Sequence, residues 1–273
     1  MKSKEYCMIV KLILSISLFL PSMILSQDFL KIAFGNGTSN LSNFTVQIKD
    51  GGFTGDIHVK RLKSTLRNLD IEISDNYDNE YVTILLGVVS ASADGISITG
   101  GERSEFLSVE VGKISYALKD WDLFVTKQGP KDIPSLRADL NIHYLNIKPP
   151  NQFVQTLSQE EWRLFNLLSG DDGILDIKKI TAEIMLNVDR SIGFKGNLDL
   201  PIGKAIATAT LTMGRDFKTD PYLDLFSLDI TNPSQELKSF IDEMIRSGEL
   251  PLKKKGTGYS LKMSGDLDNP RIF

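Results

Sequence analysis

The sequence predicts a mainly β protein, an antiparallel sheet with a few helices packed on it. From Phe44 onward, apolar and polar residues alternate along most segments. Between Tyr259 and Met263, for example, every second residue is apolar, and the two residues between them are Ser and Lys. This period of two places one face of a strand against an apolar environment and the other in water, as antiparallel sheets allow. Two shorter segments have the apolar spacing of amphipathic helices instead.

The composition excludes several functional classes. The chain has 273 residues, of which 41% are hydrophobic and 24% charged, so it has enough apolar material for a substantial core. A formal net charge of −4 argues against a nucleic-acid partner. One Cys and two His, with no Gly-x-Ser-x-Gly, phosphate-loop or His-Glu-x-x-His motif, leave little for catalysis. We therefore predict no enzyme activity, no catalytic residues, no metal site and no cofactor.

Residues 1–26 have the organisation of a secretory signal peptide. Lysines precede an apolar run, Pro21 breaks that run, and small residues lead to Ser26. The run of about 14 mostly apolar residues is shorter than the roughly 20 that a membrane span needs, although an uncleaved inner-membrane anchor remains the alternative. Cleavage after Ser26 would remove Cys7, so the exported chain would contain no disulfide. These features predict export to the periplasm of a Gram-negative bacterium.

The rest of the chain divides into two parts, which can equally form one continuous domain. Residues 27–134 are rich in strands, and residues 135–273 combine strands with two helices, at about 151–169 and 233–247. The patterns within these segments predict that each helix packs an apolar stripe on the sheet, with a movable lid as the alternative.

Capping residues mark both helices. Ser158 and Glu161 form a capping box at the start of the first helix, and Gly170 ends it. The second helix is predicted to begin at Asn232-Pro233, with Gln235 at the reciprocal capping position, and to end at Gly248.

Other signals concern turns and bulges. Asp94-Gly95 and Gly100-Gly101 predict turns between strands. The apolar residues change parity after Tyr144 in one strand and between Leu225 and Phe226 in another. A change of face over one residue indicates a β-bulge.

The C-terminal part resembles AsmA-like proteins. The stretch from Gly258 to Ile272 resembles their closing strand pair, which often ends in a Gly-x-Leu-x-x-Pro segment, here Gly265 to Pro270. The strand around Leu228 to Ile230 and the helix that ends at Gly248 also resemble that module. The resemblance covers about 140 residues, from Ser135 on, whereas residues 27–134 match in style alone.

The resemblance implies an extended, curved antiparallel sheet, an open trough or half-barrel with an apolar inner face. It also implies a non-enzymatic protein of the cell envelope that binds or carries phospholipid or another lipid, or assists outer-membrane assembly. The residues expected to line the groove are Ile192, Phe194, Leu198, Leu200, Tyr259, Leu261 and Met263. The basic run Lys253, Lys254 and Lys255 is a candidate for contact with lipid headgroups, with a solvated hairpin end as the alternative.

Two interpretations of the apolar face remain open from the sequence. The groove residues either line an open lipid-binding surface or fill a closed core under the helices. The second interpretation makes the protein a structural or adaptor protein of the periplasm, whose sheet packs on an envelope protein partner.

Overall fold

The mainly β prediction is confirmed. The computed structural model describes residues 22–26, 29–50, 53–76, 79–102, 105–126, 129–130, 135–187, 189–213, 222–267 and 269–273. Strands make up 71% of the structure and form one open antiparallel sheet that does not close into a barrel. The strands are β1 (Ser22–Ser26), β2 (Phe29–Phe34), β3 (Gly37–Asp50), β4 (Phe53–Asn76), β5 (Asn79–Glu102), β6 (Glu105–Thr126), β7 (Gly129–Pro130), β8 (Leu136–Lys148), β9 (Leu175–Leu186), β10 (Ser191–Leu200), β11 (Gly203–Thr212), β12 (Tyr222–Thr231), β13 (Lys253–Lys255), β14 (Gly258–Asp266) and β15 (Arg271–Ile272).

Most strands pair with their neighbours in chain order. The order across the sheet is β1-β2-β4-β5-β6-β8-β9-β10-β11-β12-β14-β13, while β3 pairs with β4, β7 with β6 and β15 with β14. Because β6 pairs with β8, the sheet continues without a break from the first predicted part of the chain into the second. Most of the predicted signal segment, including Cys7, lies outside the described residues, and its last five residues form β1.

The strands at the N-terminal end of the sheet, its broad end, are much longer than those at the C-terminal end. β4 and β5 have 24 residues each, whereas β10, β11 and β12 have 10 each. At about 3.3 Å per residue, the strands shorten from roughly 80 Å to roughly 33 Å across the sheet. The long strands far exceed the usual length, and they are interrupted by local kinks.

The kinks lie in two rows that cross the sheet. In the first row the regular pairing is interrupted at the same level in six adjacent strands, at Asn43, Lys60, Gly95, Gly112, Tyr144 and Lys178. The second row contains Gly35, Asn68, Gly87 and Asp120. In each row the kink residue has a positive φ in every second strand. In the first row these residues are Asn43 (50°), Gly95 (60°) and Tyr144 (55°).

Each kink moves the apolar residues to the other parity while the register stays constant. In β6, odd-numbered residues are apolar from Leu107 to Val111, even-numbered ones from Ile114 to Leu118, and odd-numbered ones from Trp121 to Val125. One residue outside the extended conformation shifts the alternation of side chains by one. Because neighbouring strands shift at the same level, the apolar side chains stay on one face of the sheet.

Two turn predictions are wrong; of the two bulge predictions, the one in β12 is confirmed, whereas the change of face in β8 occurs at a kink with an unchanged register. Asp94-Gly95 and Gly100-Gly101 lie inside β5, where the positive φ of Gly95 serves a kink instead of a chain reversal. The predicted change of face in β8 occurs at Tyr144, and the register shifts between Leu223 and Phe226 of β12.

The helices agree with the prediction except in two details. The predicted helix at 151–169 is two helices, α1 (Asn151–Gln155) and α2 (Gln159–Ser169), because Ser158 starts α2 with the predicted capping box. The helix α3 (Gln235–Ser247) is capped by Ser234 instead of Asn232, since the Ser234 hydroxyl accepts a hydrogen bond from the N–H of Leu237. The residues at the predicted C-terminal caps, Gly170 and Gly248, both have positive φ.

The kink rows predict different costs for two Gly→Ala substitutions. A Cβ at Gly112 would lie 3.1 Å from the Tyr144 Cβ and 3.2 Å from the His143 carbonyl, whereas a Cβ at Gly35 would meet nothing within 4 Å. We expect Gly112→Ala to lower the free energy of unfolding by about 1–3 kcal/mol, and Gly35→Ala to leave it within about 1 kcal/mol. Urea unfolding followed by far-UV circular dichroism measures both, and equal effects would show that the paired kinks do not constrain the sheet.

Candidate functional site

The candidate functional site is the apolar face of the sheet, defined by rows of side chains that run across the strands. Residues directly opposite one another in an antiparallel pair lie on the same face. One such row crosses ten strands and is apolar throughout, with Tyr259 as its aromatic end. Its members are Leu41, Leu62, Ala93, Ile114, Ile142, Ile180, Leu198, Ala205, Ile230 and Tyr259.

Parallel rows extend the apolar face beyond both kink rows. Below the first kink row, the paired residues of six strands are Phe44, Val59, Ile96, Val111, Leu145 and Ile177. Above the second kink row, the paired residues of four strands are Phe34, Leu69, Leu86 and Trp121. The apolar face therefore continues along the full length of the long strands.

Much of this face lacks a covering layer. The described residues form a single sheet, so no second sheet of theirs lies over it. Large side chains on the face keep much of their surface accessible: Leu41 is 49% exposed, Tyr116 47% and Ile184 45%. Large exposed apolar patches are rare on soluble monomers and mark sites of interaction.

Helix α3 covers the C-terminal end of the apolar face. Ile241 of α3 packs with Leu252 and Tyr259 in a buried cluster. Partly buried apolar residues surround this cluster, and Leu228, Ile230 and Leu261 among them come from the sheet. Arg163 of α2 pairs with Glu243 of α3 at 2.6 Å, which links the two helices. The structure thus covers one end of the face with a helix, whereas the broad end mixes buried side chains, such as Val59 and Leu86, with exposed ones, such as Leu41.

A polar link holds α3 on the sheet. The Tyr259 hydroxyl lies 2.9 Å from a carboxylate oxygen of Asp242 and 3.2 Å from the carbonyl of Lys238. Lys254 donates to the other Asp242 oxygen at 2.9 Å. Burial, with the hydrogen bond to Asp242, raises the pKa of Tyr259 to about 12. Hydrogen bonds from Lys254 and Tyr259 lower the pKa of Asp242.

The structure distributes the seven predicted groove residues between the open and the covered parts of the face. Phe194 and Met263 lie in one row, which also contains Ile184. Tyr259, which is 4% exposed, and Leu261 pack in the cluster under α3. The remaining three lie on the same face of β10 and are partly buried: Ile192, Leu198 and Leu200.

The three lysines of the predicted headgroup contact form β13, which is exposed. Lys254 binds Asp242, and Lys255 lies 2.8 Å from Asp229. Two of the three charges are therefore compensated by carboxylates of the same chain, which leaves Lys253 as the better headgroup candidate of the run.

Sequence reasoning missed the open N-terminal half of the face. Residues such as Val59, Leu62 and Leu69 lie on one face of β4, yet their numbers change parity between Val59 and Leu62 and again before Leu69. A period of two read over the whole strand is therefore lost at each kink. If β4 is divided into three short segments in which the apolar residues are odd-numbered, even-numbered and odd-numbered in turn, these residues are recovered.

The opposite face of the sheet is polar and carries two shallow depressions. They have volumes of about 360 and 340 Å³ and share Asp139 and Asn141. Asp139 binds Lys119 at 2.6 Å, and Arg137 binds Glu183 at 2.6 Å, so these charges are paired within the sheet. In the described ranges, no group of His, Cys, Asp and Glu side chains is placed to hold a metal ion.

Comparisons with known proteins found no relative of this chain. No family model, curated protein or solved structure matches the chain. The resemblance to AsmA-like proteins stays a prediction from the sequence. In the part of the chain that the structure describes, none of the helices has both the length and the hydropathy to span a membrane.

The polar link under α3 predicts a stability difference between two Tyr→Phe substitutions. Tyr259→Phe removes the hydrogen bond to Asp242 at a buried position, whereas Tyr222 is 49% exposed. We expect Tyr259→Phe to lower the free energy of unfolding by about 1–2 kcal/mol and Tyr222→Phe to change it by less than about 0.5 kcal/mol. Urea unfolding at pH 7 measures both, and an unchanged Tyr259→Phe would show that the link contributes nothing.

The lowered pKa of Asp242 predicts a pH dependence. A carboxylate whose pKa is lower in the folded state adds stability above its unfolded pKa of about 3.9, and this stability is lost as the pH falls through the folded value. We therefore expect Asp242→Asn and Lys254→Met to lower the thermal midpoint at pH 7 and to match the parent chain at the acid end of the titration. Lys253→Met serves as the control, and a deficit for Asp242→Asn that persists unchanged in acid would contradict the assignment.

Proposed function

We propose that the protein binds lipid by laying acyl chains along the open part of the apolar face. The observation that carries this proposal is the continuous set of apolar rows outside the area covered by α3, on which Leu41, Tyr116 and Ile184 stay about half exposed. Removing apolar surface of this kind from water lowers the free energy by roughly 25 cal/mol per Å². An acyl chain removes such surface from water without requiring hydrogen-bonding partners.

The arrangement of polar and apolar groups supports the proposal. The apolar rows run across the strands, so a chain lying along a row meets apolar side chains from strand after strand. The opposite face carries paired charges and hydroxyl groups that remain in water, as in the ion pair between Lys119 and Asp139. Lys253 lies at the narrow edge beside the covered end, where an anionic headgroup could contact it.

The setting in which we propose this activity is the periplasm of a Gram-negative bacterium. Residues 1–26 have the organisation of a signal segment, and the chain after Ser26 contains no cysteine. The proposed role is non-enzymatic carriage of lipid or assistance in outer-membrane assembly. The sheet spans roughly 55 Å across twelve strands at about 4.8 Å per strand, so one copy serves as a carrier or as a segment of a larger assembly.

The decisive experiment uses two neighbouring residues on opposite faces of β9. Ile184 lies on the apolar face and is 45% exposed, while Met185 lies on the polar face and is 38% exposed. The parent chain is purified from cells without detergent, and bound phospholipid is counted by native mass spectrometry and by phosphate analysis after solvent extraction. We expect stoichiometric lipid on the parent chain, a roughly tenfold weaker retention with Ile184→Asp, and no change with Met185→Asp.

Both substitutions replace a partly exposed apolar side chain by a carboxylate, so their effects on folding are matched. Circular dichroism establishes that each variant is folded before lipid is measured. A folded parent chain without lipid that instead retains an envelope protein through Ile184 would support the adaptor alternative. Equal loss of lipid from both variants would show that the apolar face is not the binding surface.

A further inference from the structure

We propose that the N-terminal edge strand β3 pairs with β3 of a second copy of this chain, so that two sheets join edge to edge. This inference concerns the edge of the sheet and stands independently of whether its apolar face binds lipid. It is carried by an asymmetry between the two ends of the sheet.

At the N-terminal end, a long stretch of strand has no neighbour on its outer side among the described residues. β2 and β3 pair with β4 in one register, with Phe34 opposite Leu69 and Gly37 opposite Leu66, so they act as one long edge strand. β1 pairs antiparallel with β2 but reaches only as far as Ala33. Within the described residues, β3 pairs with β4 alone along its 14 residues.

At the C-terminal end, the edge is closed. The outer side of β14 is occupied by β13 and β15, which have three and two residues. All three residues of β13 are lysines, and Pro270 precedes β15. Short, positively charged edge strands are the usual protection against edge-to-edge pairing. Pairing of β3 with the C-terminal edge of another copy, which would build an open-ended chain of copies, is therefore disfavoured. Pairing of β3 with β3 gives a closed dimer.

The centre of β3 is complementary to itself. Residues 37–48 contain no charged side chain, so two copies do not repel each other. Its apolar residues occupy odd positions before the kink at Asn43 and even positions after it. An antiparallel pair of β3 strands that sets Leu41 opposite Phe44 and Asn40 opposite Thr45 of the second copy matches these central pairs apolar with apolar and polar with polar, while Ser39 faces Val46 and the two Asn43 kinks are offset by one residue.

The symmetry of this pairing determines what it builds. The two-fold axis is perpendicular to the sheet, so the apolar faces of both copies lie on the same side. The dimer then presents one apolar surface of twice the width, with a helix-covered end at each extremity. Backbone hydrogen bonds along twelve residues provide the affinity, as in other cases of strand addition.

The test places charges on the polar side of β3 in the full chain. In Asn40→Glu/Thr45→Glu each interface pair becomes two carboxylates, whereas in Asn40→Glu/Thr45→Lys each pair becomes a Glu opposite a Lys. Asn40 lies opposite Lys63 within the chain, so Asn40→Glu is compatible with the folded monomer. Sedimentation velocity over a concentration series measures the dimer dissociation constant, and circular dichroism verifies folding.

We expect a dimer for the parent chain, at least about tenfold weaker dimerisation with the two glutamates, and recovery with the Glu and Lys combination. A parent chain that stays monomeric at every concentration would overturn the proposal. So would a dimer that tolerates the two glutamates. A dimer broken by Ile184→Asp and unaffected by charges on β3 would place the interface on the apolar face and reject edge pairing.

Discussion

The fold depends on the constraint that neighbouring strands change face at the same level. A strand of 24 residues cannot keep one face apolar through a kink unless its partners shift with it. In this sheet the kinks at Asn43, Gly95 and Tyr144 each lie opposite a compensating residue, and the register continues unchanged. The close approach at Gly112 shows how little room this arrangement leaves. Continuity of the apolar rows, and therefore of the candidate site, follows from that alignment.

A single-layer sheet with one apolar face has an unequal distribution of stability. At the C-terminal end α3 buries Ile241 against the sheet, and the contacts of Tyr259 with Asp242 hold the helix in place. Across the broad end, ladder hydrogen bonds and contacts between neighbouring side chains replace a second layer. The protein thus combines a helix-covered core at one end with a face of mixed buried and exposed apolar side chains at the other, and the proposed lipid contact uses the second.

The sheet edges are managed as differently as its faces. β13 and β15 are short and charged, whereas β3 is long and uncharged over residues 37–48. If β3 pairs with a second copy, the assembly stops at two copies, because the C-terminal edge of each sheet is protected by short, charged strands. Because the two copies join through their N-terminal edges, the helix-covered ends of the two apolar faces lie far apart and the uncovered parts lie together.

Local patterns in the sequence determined the class of fold. Alternation along β10 and β14 predicted strands with one apolar face, and the capping box at Ser158 with Glu161 predicted the start of α2, because these signals depend on neighbours close in the chain. For the same reason Phe194 and Met263 were predicted to share one apolar face, and they lie in one row of it. Only the tertiary structure decided that Asp94-Gly95 is a kink inside a strand, since a glycine with positive φ serves a turn or a kink equally well. It alone decided that Tyr259 lies under α3 while Ile184 stays open, because coverage of an apolar side chain depends on which distant helix lies over it.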